Sequence, residues 1–224
     1  NFDLIKYVVE KCNILENKKK IKVKRYNLTT NATVLSDEII DFINNNRIIM
    51  TVSIDGDKET HNNNRISKNG EDYYETIVKN IKKINPEKYC FRPTITKESS
   101  KDFYKKVVYP LEEINNESSY YMIPVTTEDK KIELNEEEAC LNAKQQVQHC
   151  FDSIKKDIDI KNLAIQHILS RIINSIAIHN SCEAGRRYIG ICCDGTIVPC
   201  HRFLSKKIHA IGDIYSGFNN NIKI

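Results

Sequence analysis

The sequence predicts an α/β fold with parallel strands, followed by a helical stretch and a small cysteine-rich module, on three grounds. Helix-type and strand-type segments alternate four times with short links over residues 1–125, as right-handed βαβ units and a parallel sheet require. The alternation stops at Thr126, and residues 126–180 are first charged and then helical. Half of the eight cysteines fall in residues 181–224, the last fifth of the chain.

Leu4, Ile5, Val8, Val9 and Cys12 recur at helical spacing, which predicts an amphipathic helix over Phe2 to Leu15. A strand is expected over Ile21 to Leu28, where Ile21 and Val23 alternate with lysines, running into the polar turn Thr29-Thr30-Asn31. Ser36 is placed to cap a helix with Ile39, Ile40 and Ile43 on its apolar face. Arg47 to Ile54 reads as a buried strand ended by Asp55-Gly56, and a polar, asparagine-rich loop comes after it. Tyr73 to Ile84 is expected as a helix stopped by Asn85-Pro86, Lys88 to Thr96 as a strand, Ser100 to Ile114 as a helix and Tyr120 to Val125 as a strand. Residues 128–138 have the composition of a linker, and Ala139 to Ile178 is expected to be helical with Leu163, His167, Ile168, Ile172 and Ile176 on one face.

The formal charge of +4, from 34 basic and 30 acidic residues, is too balanced to argue for a nucleic-acid partner. The one basic cluster, Lys18 to Arg25, is read as the solvated face of a strand. No apolar stretch approaches the roughly 20 residues needed to cross a bilayer, and no signal peptide is visible, so a cytoplasmic protein without a membrane partner is expected. In that compartment cysteines more often mean metal or catalysis than disulfides.

In a parallel α/β barrel chemistry sits where strands hand over to loops. Those places here are Thr29-Thr30-Asn31, Ser53-Ile54-Asp55-Gly56, Arg92-Pro93-Thr94 and the region of Pro124. Together they offer a hydroxyl, an amide, a carboxylate and a guanidinium to one rim, a set able to hold a zwitterionic amino acid and a ribose. In the C-terminal module, Tyr188, Ile189 and Ile191 lead into Asp194-Gly195, a hairpin-turn signal. A hairpin there would bring Cys182 and Cys200 together at its open end, as a shared metal or cluster requires.

The run Cys182, twelve residues, Gly195, four residues, Cys200 resembles the Cys-x(9 to 15)-Gly-x4-Cys start of the SPASM extension of radical S-adenosylmethionine (SAM) enzymes, and His209 to Tyr215 resembles the Gly-Asn/Asp-Ile run that comes next in that extension. The run from Leu28 to Leu35 looks like the Thr-Asn-Gly-x-Leu segment after the third barrel strand of that family. Ser53-Ile54-Asp55-Gly56 continued to His61 and Arg65 resembles its Ser-x-Asp-Gly-x4-His-x3-Arg segment after the fourth, and Arg92-Pro93-Thr94-Ile95-Thr96 its Arg-x-Thr-x-Thr segment in the fifth.

The resemblance implies a partial (β/α)6 radical SAM barrel over residues 1–125, a helical connector over 126–180 and the start of a SPASM domain over 181–224. By the same resemblance Ser53 and Arg92 would contact the SAM carboxylate, Asp55 and Asn31 would line its methionine and ribose, and Cys182 and Cys200 would bind an auxiliary 4Fe-4S cluster. Taken singly, Ser53 and Asp55 could simply form the turn that Asp-Gly starts, and Arg92 a salt bridge on the rim. His61 and Arg65 are read either as substrate or cofactor contacts or as solvated loop residues. Cys192 and Cys193 are expected as buried thiols in the strand before the turn, with Cys193 a possible extra ligand, while Cys12, Cys90, Cys140 and Cys150 are assigned to core or surface.

The Cys-x3-Cys-x2-Cys triplet that holds the SAM cluster of the family does not occur in these 224 residues. The expectation is therefore a fragment that starts past two βα units, inactive alone, or else a degenerate protein. The implied chemistry is hydrogen abstraction from a peptide or protein by a 5′-deoxyadenosyl radical, with an electron donor such as flavodoxin or ferredoxin. In the sulfatase-maturing branch an Asp acts as base directly after the cysteine that Cys200 matches; here that position is His201, an imidazole that could take a proton or only cap the turn. The departure favours a thioether or related crosslink in a ribosomally made peptide over sulfatase maturation. A reading of another class is a non-catalytic zinc module using Cys182, Cys193, Cys200 and His201, whose gaps lack the short knuckle spacing zinc prefers.

Overall fold

A parallel ladder runs through the first part of the chain in sequence order. In a computed structural model, which describes residues 1–175, 184–185, 188–204 and 209–219, the chain divides into two units, Asn1–Ser170 and Arg171–Ile224. In the first unit β1 (Tyr26–Thr30) pairs with β2 (Ile48–Val52), and β2 with β3 (Tyr89–Phe91), all parallel. The ladder continues through a parallel bridge from Phe91 to Tyr120, through β4 (Thr94–Ile95) paired with β5 (Ile123–Pro124), and through a bridge from Tyr120 to Asn162. Each new strand position lies beside the preceding one, the order of a sheet that curls in one direction.

The helices α1 (Phe2–Asn17), α2 (Asp37–Asn45), α3 (Lys58–Asn64) and α4 (Tyr74–Ile81) lie between or before these strands. After them come α5 (Lys97–Lys101), a π-helical turn (Tyr104–Val108), α6 (Tyr109–Ile114), α7 (Glu136–Lys155) and α8 (Leu163–Ile173). Ile40 and Ile43 of α2, Ile77 and Ile81 of α4, and Val107, Val108 and Leu111 form one core with Ile48, Met50, Val52, Phe91 and Ile95. Alternation along β2 decides the two faces: Ile48, Met50 and Val52 are buried under helices, while Ile49, Thr51 and Ser53 on the other face are half-buried. At about 1.5–3 kcal/mol per buried aliphatic side chain, the helix-covered face holds the unit together. The opposite face is left free to be polar.

Several elements differ from the sequence expectation. Residues Ile21 to Arg25 are not strand, because Val23 is held from α1 instead: its N–H donates to Glu16 Oε1 at 2.7 Å and its carbonyl accepts from Arg47. The basic cluster is therefore an irregular exposed segment. The asparagine-rich loop contains the helix α3, started by Asp57, whose carboxylate accepts from Thr60 N at 2.7 Å. The helix expected from Ser100 begins at Lys97 behind a Thr96/Ser99 capping box and passes through the π-turn. The long helix expected over 139–178 starts at Glu136, where Asn135 and Glu138 cap each other, and breaks after Lys155. It resumes at Leu163, with buried Asn162 accepting from the N–H groups of Ala164 and Ile165. Ile168 and Ile172 are exposed, and Ile176 lies outside the described residues. Helix α7 belongs to the first unit, to which Tyr104 OH donating to Gln145 O at 2.7 Å and the Lys97–Glu138 ion pair fasten it.

In the second unit four short strands form an antiparallel sheet, β6 (Gly190–Ile191), β7 (Thr196–Val198), β8 (Gly212–Asp213) and β9 (Gly217–Phe218), in that order. Asp194-Gly195 turns β6 into β7 as expected. Gly195 has φ +91°, and a Cβ there would lie 2.9 Å from Ile214 Cγ1, so this position favours glycine on two counts. No helix among the described residues is long and apolar enough to cross a membrane.

Candidate functional site

The register of the parallel strands sets the site. Thr30 pairs with Val52 and Val52 with Phe91, and the next links, Ser53 N to Thr30 O at 2.9 Å and Arg92 N to Val52 O at 2.8 Å, extend the ladder by one residue. Asn31, Ser53 and Arg92 are therefore the residues that directly follow one paired row across three neighbouring strands, which lie about 4.8 Å apart. Alternation puts them on the face away from the helix-packed core, one step beyond the row of Thr29, Thr51 and Cys90. Ser53 and Arg92 are half-buried and Asn31 is exposed. Asn31 Oδ1 accepts from Thr33 N at 3.3 Å and from Thr33 Oγ1 at 3.0 Å, which leaves its amide Nδ2 free to donate. A guanidinium, a hydroxyl and a carboxamide on one open face can take up a carboxylate and neighbouring polar groups.

Asp55 does not join that row. It is fully buried, and both of its oxygens are taken: Oδ2 by Arg65 Nε at 2.8 Å, Oδ1 by Arg65 Nη2 at 3.0 Å and by Thr94 N at 2.8 Å. Its backbone N–H points to Nδ1 of His61 at 3.4 Å. The carboxylate thus ties the end of β2, the end of α3 and the start of β4 into one junction and presents no open edge. Arg65 and His61, left between two readings by sequence, are members of this junction rather than solvated loop residues.

Burial pushes the pKa of His61 below its usual value, helped by the Arg65 charge and opposed by Asp55, so the imidazole favours its neutral form. The ring lies against Tyr74, whose hydroxyl donates to Gly56 O at 3.1 Å and whose pKa burial pushes up to about 12.

Gly56 is required for a different reason. Its φ is +128°, and a Cβ there would lie 2.0 Å from the carbonyl oxygen of Lys106. That same carbonyl accepts from Asp57 N at 2.8 Å. It is free to do so because its α-helical donor would be residue 110, a proline without an N–H. Gly56 and Lys106, 50 residues apart in sequence, make one close backbone contact that fixes the turn after Ser53.

In the second unit Cys182 lies outside the described residues. Cys200 is half-buried at the end of the hairpin, and its Sγ accepts from Arg202 N at 3.3 Å. Gly185 donates to Pro199 O at 2.8 Å and so reaches the residue next to Cys200. Cys193 is exposed and Cys192 half-buried with its Sγ 3.6 Å from Leu204 O, so neither is the buried thiol that alternation implied: with only two residues in β6, both fall in the turn. His201 is exposed at the start of a single 3-10 turn, His201–Phe203. Among the described residues no three His, Cys, Asp or Glu side chains converge on a metal position.

No family profile and no curated protein matches the sequence. Solved structures do match. The chain is similar to native anSMEcpe with bound AdoMet, with TM-score 0.77 and 18% identity over 96% of this chain and 60% of that one. It is similar to the same protein with AdoMet and the Kp18Cys peptide, with TM-score 0.74, 18% identity and coverage of 93% and 60%. SuiB of Streptococcus suis matches with TM-score 0.51 and 15% identity over 93% of this chain and 49% of that one. The chain spans about 60% of the length of the first two. The likeness shows that this chain shares the fold of these structures.

Proposed function

We propose that this chain is part of a radical SAM enzyme that modifies a peptide or protein, and that the row Asn31, Ser53, Arg92 holds S-adenosylmethionine. The observation that supports this best is the row itself: three side chains suited to a zwitterionic amino acid and its ribose follow neighbouring strands on the sheet face opposite the helix-packed core. Arg92 forks the carboxylate, Ser53 donates its hydroxyl to it, and Asn31 offers its amide to the ribose. Asp55 serves as the brace that fixes the turn carrying Ser53, in place of the lining role expected from its resemblance. Bound SAM would supply the radical that takes hydrogen from substrate, after reduction at a cluster whose cysteine triplet this sequence does not contain.

On this reading residues 1–125 are the later part of a radical SAM barrel, residues 126–180 its connector, and residues 181–224 the start of a SPASM domain in which Cys182 and Cys200 contribute to an auxiliary 4Fe-4S cluster. The described residues alone do not complete such a ligand set. The reaction is a thioether or related crosslink in a ribosomally made peptide, fed by an electron carrier of flavodoxin or ferredoxin type, with His201 in place of the maturase Asp. The closer structural likeness to anSMEcpe than to SuiB supports a second reading, sulfatase maturation. Calorimetric titration of SAM into the chain tests the site: binding is expected, with a loss of at least about tenfold in Arg92→Ala, the size of one charge-assisted pair. Equal affinity in the variant removes Arg92 from the site.

A further inference from the structure

Next to the proposed cofactor row, and sharing Asn31 with it, lies a cleft of about 580 Å3 between the turn after β1 and the segment running from α3 to α4. Its volume is in the range of ligand pockets, and three of its groups are donors without a protein acceptor among the described residues. Arg65 spends Nε and Nη2 on Asp55, which leaves Nη1 open. Asn31 spends its oxygen on Thr33, which leaves Nδ2 open. Ser67 lines the same cleft, and its Oγ is buried without a hydrogen-bond partner among the described residues, a rare state for a hydroxyl. At the mouth stand Val34 and Ile66, exposed to 82% and 84%.

The charge pattern selects the ligand. Asp55 already neutralises Arg65, and Glu71, which accepts from Tyr73 OH, adds a carboxylate to the rim, so the cleft does not favour an anion. Open donors with little net charge, beside exposed aliphatic groups, suit neutral carbonyl oxygens flanked by apolar side chains. We propose that the cleft binds the main chain of the peptide substrate, whose carbonyls accept from Arg65 Nη1, Asn31 Nδ2 and Ser67 Oγ while a side chain covers Val34 and Ile66. The inference rests on the peptide-modifying reading given above and assigns the place where the substrate strand runs past the cofactor row.

The test is an amide chemical-shift titration of the full chain with N-acetyl-trialanine N-methylamide, and separately with adenosine and with SAM. The capped tripeptide is expected to move the amides of Val34, Ile66 and Ser67 saturably. Ser67→Ala should weaken it about three- to tenfold, the effect of one hydrogen bond. That variant removes no hydrogen bond among the described residues, where the hydroxyl has no partner. Val34→Trp, which fills the mouth from an exposed position, should abolish tripeptide binding while SAM affinity stays unchanged in both variants. Unmoved cleft amides in the tripeptide titration, or adenosine moving them in its place, overturn the proposal. If SAM does not bind while the tripeptide does, the cofactor reading fails and the cleft assignment stands.

Discussion

Two Asp-Gly pairs come after strands in this chain, one in each unit, and the same two residues do different work. At Asp194-Gly195 the aspartate is exposed, its Oδ1 accepts from Thr196 N at 3.1 Å, and the pair closes a hairpin from local geometry. At Asp55-Gly56 the carboxylate is fully buried and joined to Arg65 and Thr94, and the glycine touches a backbone carbonyl 50 residues further along. The first turn carries a local signal, with Ile214 N donating to Gly195 O at 3.0 Å beside it. The second is set by partners brought from three other segments, so it can hold the residue before it, Ser53, in a fixed place.

Substitutions should separate the two turns, and the largest difference is expected at the aspartates. Asp55→Ala leaves the Arg65 guanidinium and Thr94 N without their acceptor; a broken buried pair costs about 3–5 kcal/mol, and with Arg65 one-third exposed the lower end applies. Urea unfolding of the first unit should show that loss, while Asp194→Ala should change the midpoint little. Next come the glycines. In Gly56→Ala the new methyl meets backbone and cannot be relieved by a rotamer, so a loss of about 2–4 kcal/mol is expected from strain and displacement. In Gly195→Ala the neighbour is the flexible end of Ile214, and about 1–2 kcal/mol from the left-handed φ is expected.

A smaller effect concerns pH. The folded pKa of His61 lies below its ordinary 6.5, so its contribution to stability is fully present above that value and is lost as pH falls through it toward the folded pKa. Stability between pH 7 and 5 should therefore fall less steeply in His61→Gln than in the parent. An unchanged slope would show that the imidazole is not held neutral by burial.

Much of the first unit was legible in the sequence because its signals are local. The apolar run from Ile48 to Val52, the Ser36 cap and the Asn85-Pro86 stop each depend on residues close together, and each appears within a few positions of its expected place. What failed was non-local. Nothing near Ile21 announces that Glu16 and Arg47 will hold the backbone of Val23, so alternating lysines looked like a strand. The row of Asn31, Ser53 and Arg92 could be guessed from strand ends, but the removal of Asp55 from that row depends on Arg65, ten residues on, and on Thr94. A carboxylate at the end of an apolar strand, with an arginine shortly after it at the end of a capped helix, was the available signal. The freed Lys106 carbonyl could have been read from Pro110, whose missing N–H must leave a carbonyl one turn earlier without its donor.

The central claim is that Ser53 and Arg92 grip the carboxylate of a sulfonium amino acid while Asp55 only braces the turn. A crystal structure of the chain with SAM addresses it directly. The account predicts the SAM carboxylate against Arg92 and Ser53 with the Asp55–Arg65 pair intact. A carboxylate bound elsewhere, or an Asp55 that has left Arg65 to contact the ligand, would contradict it.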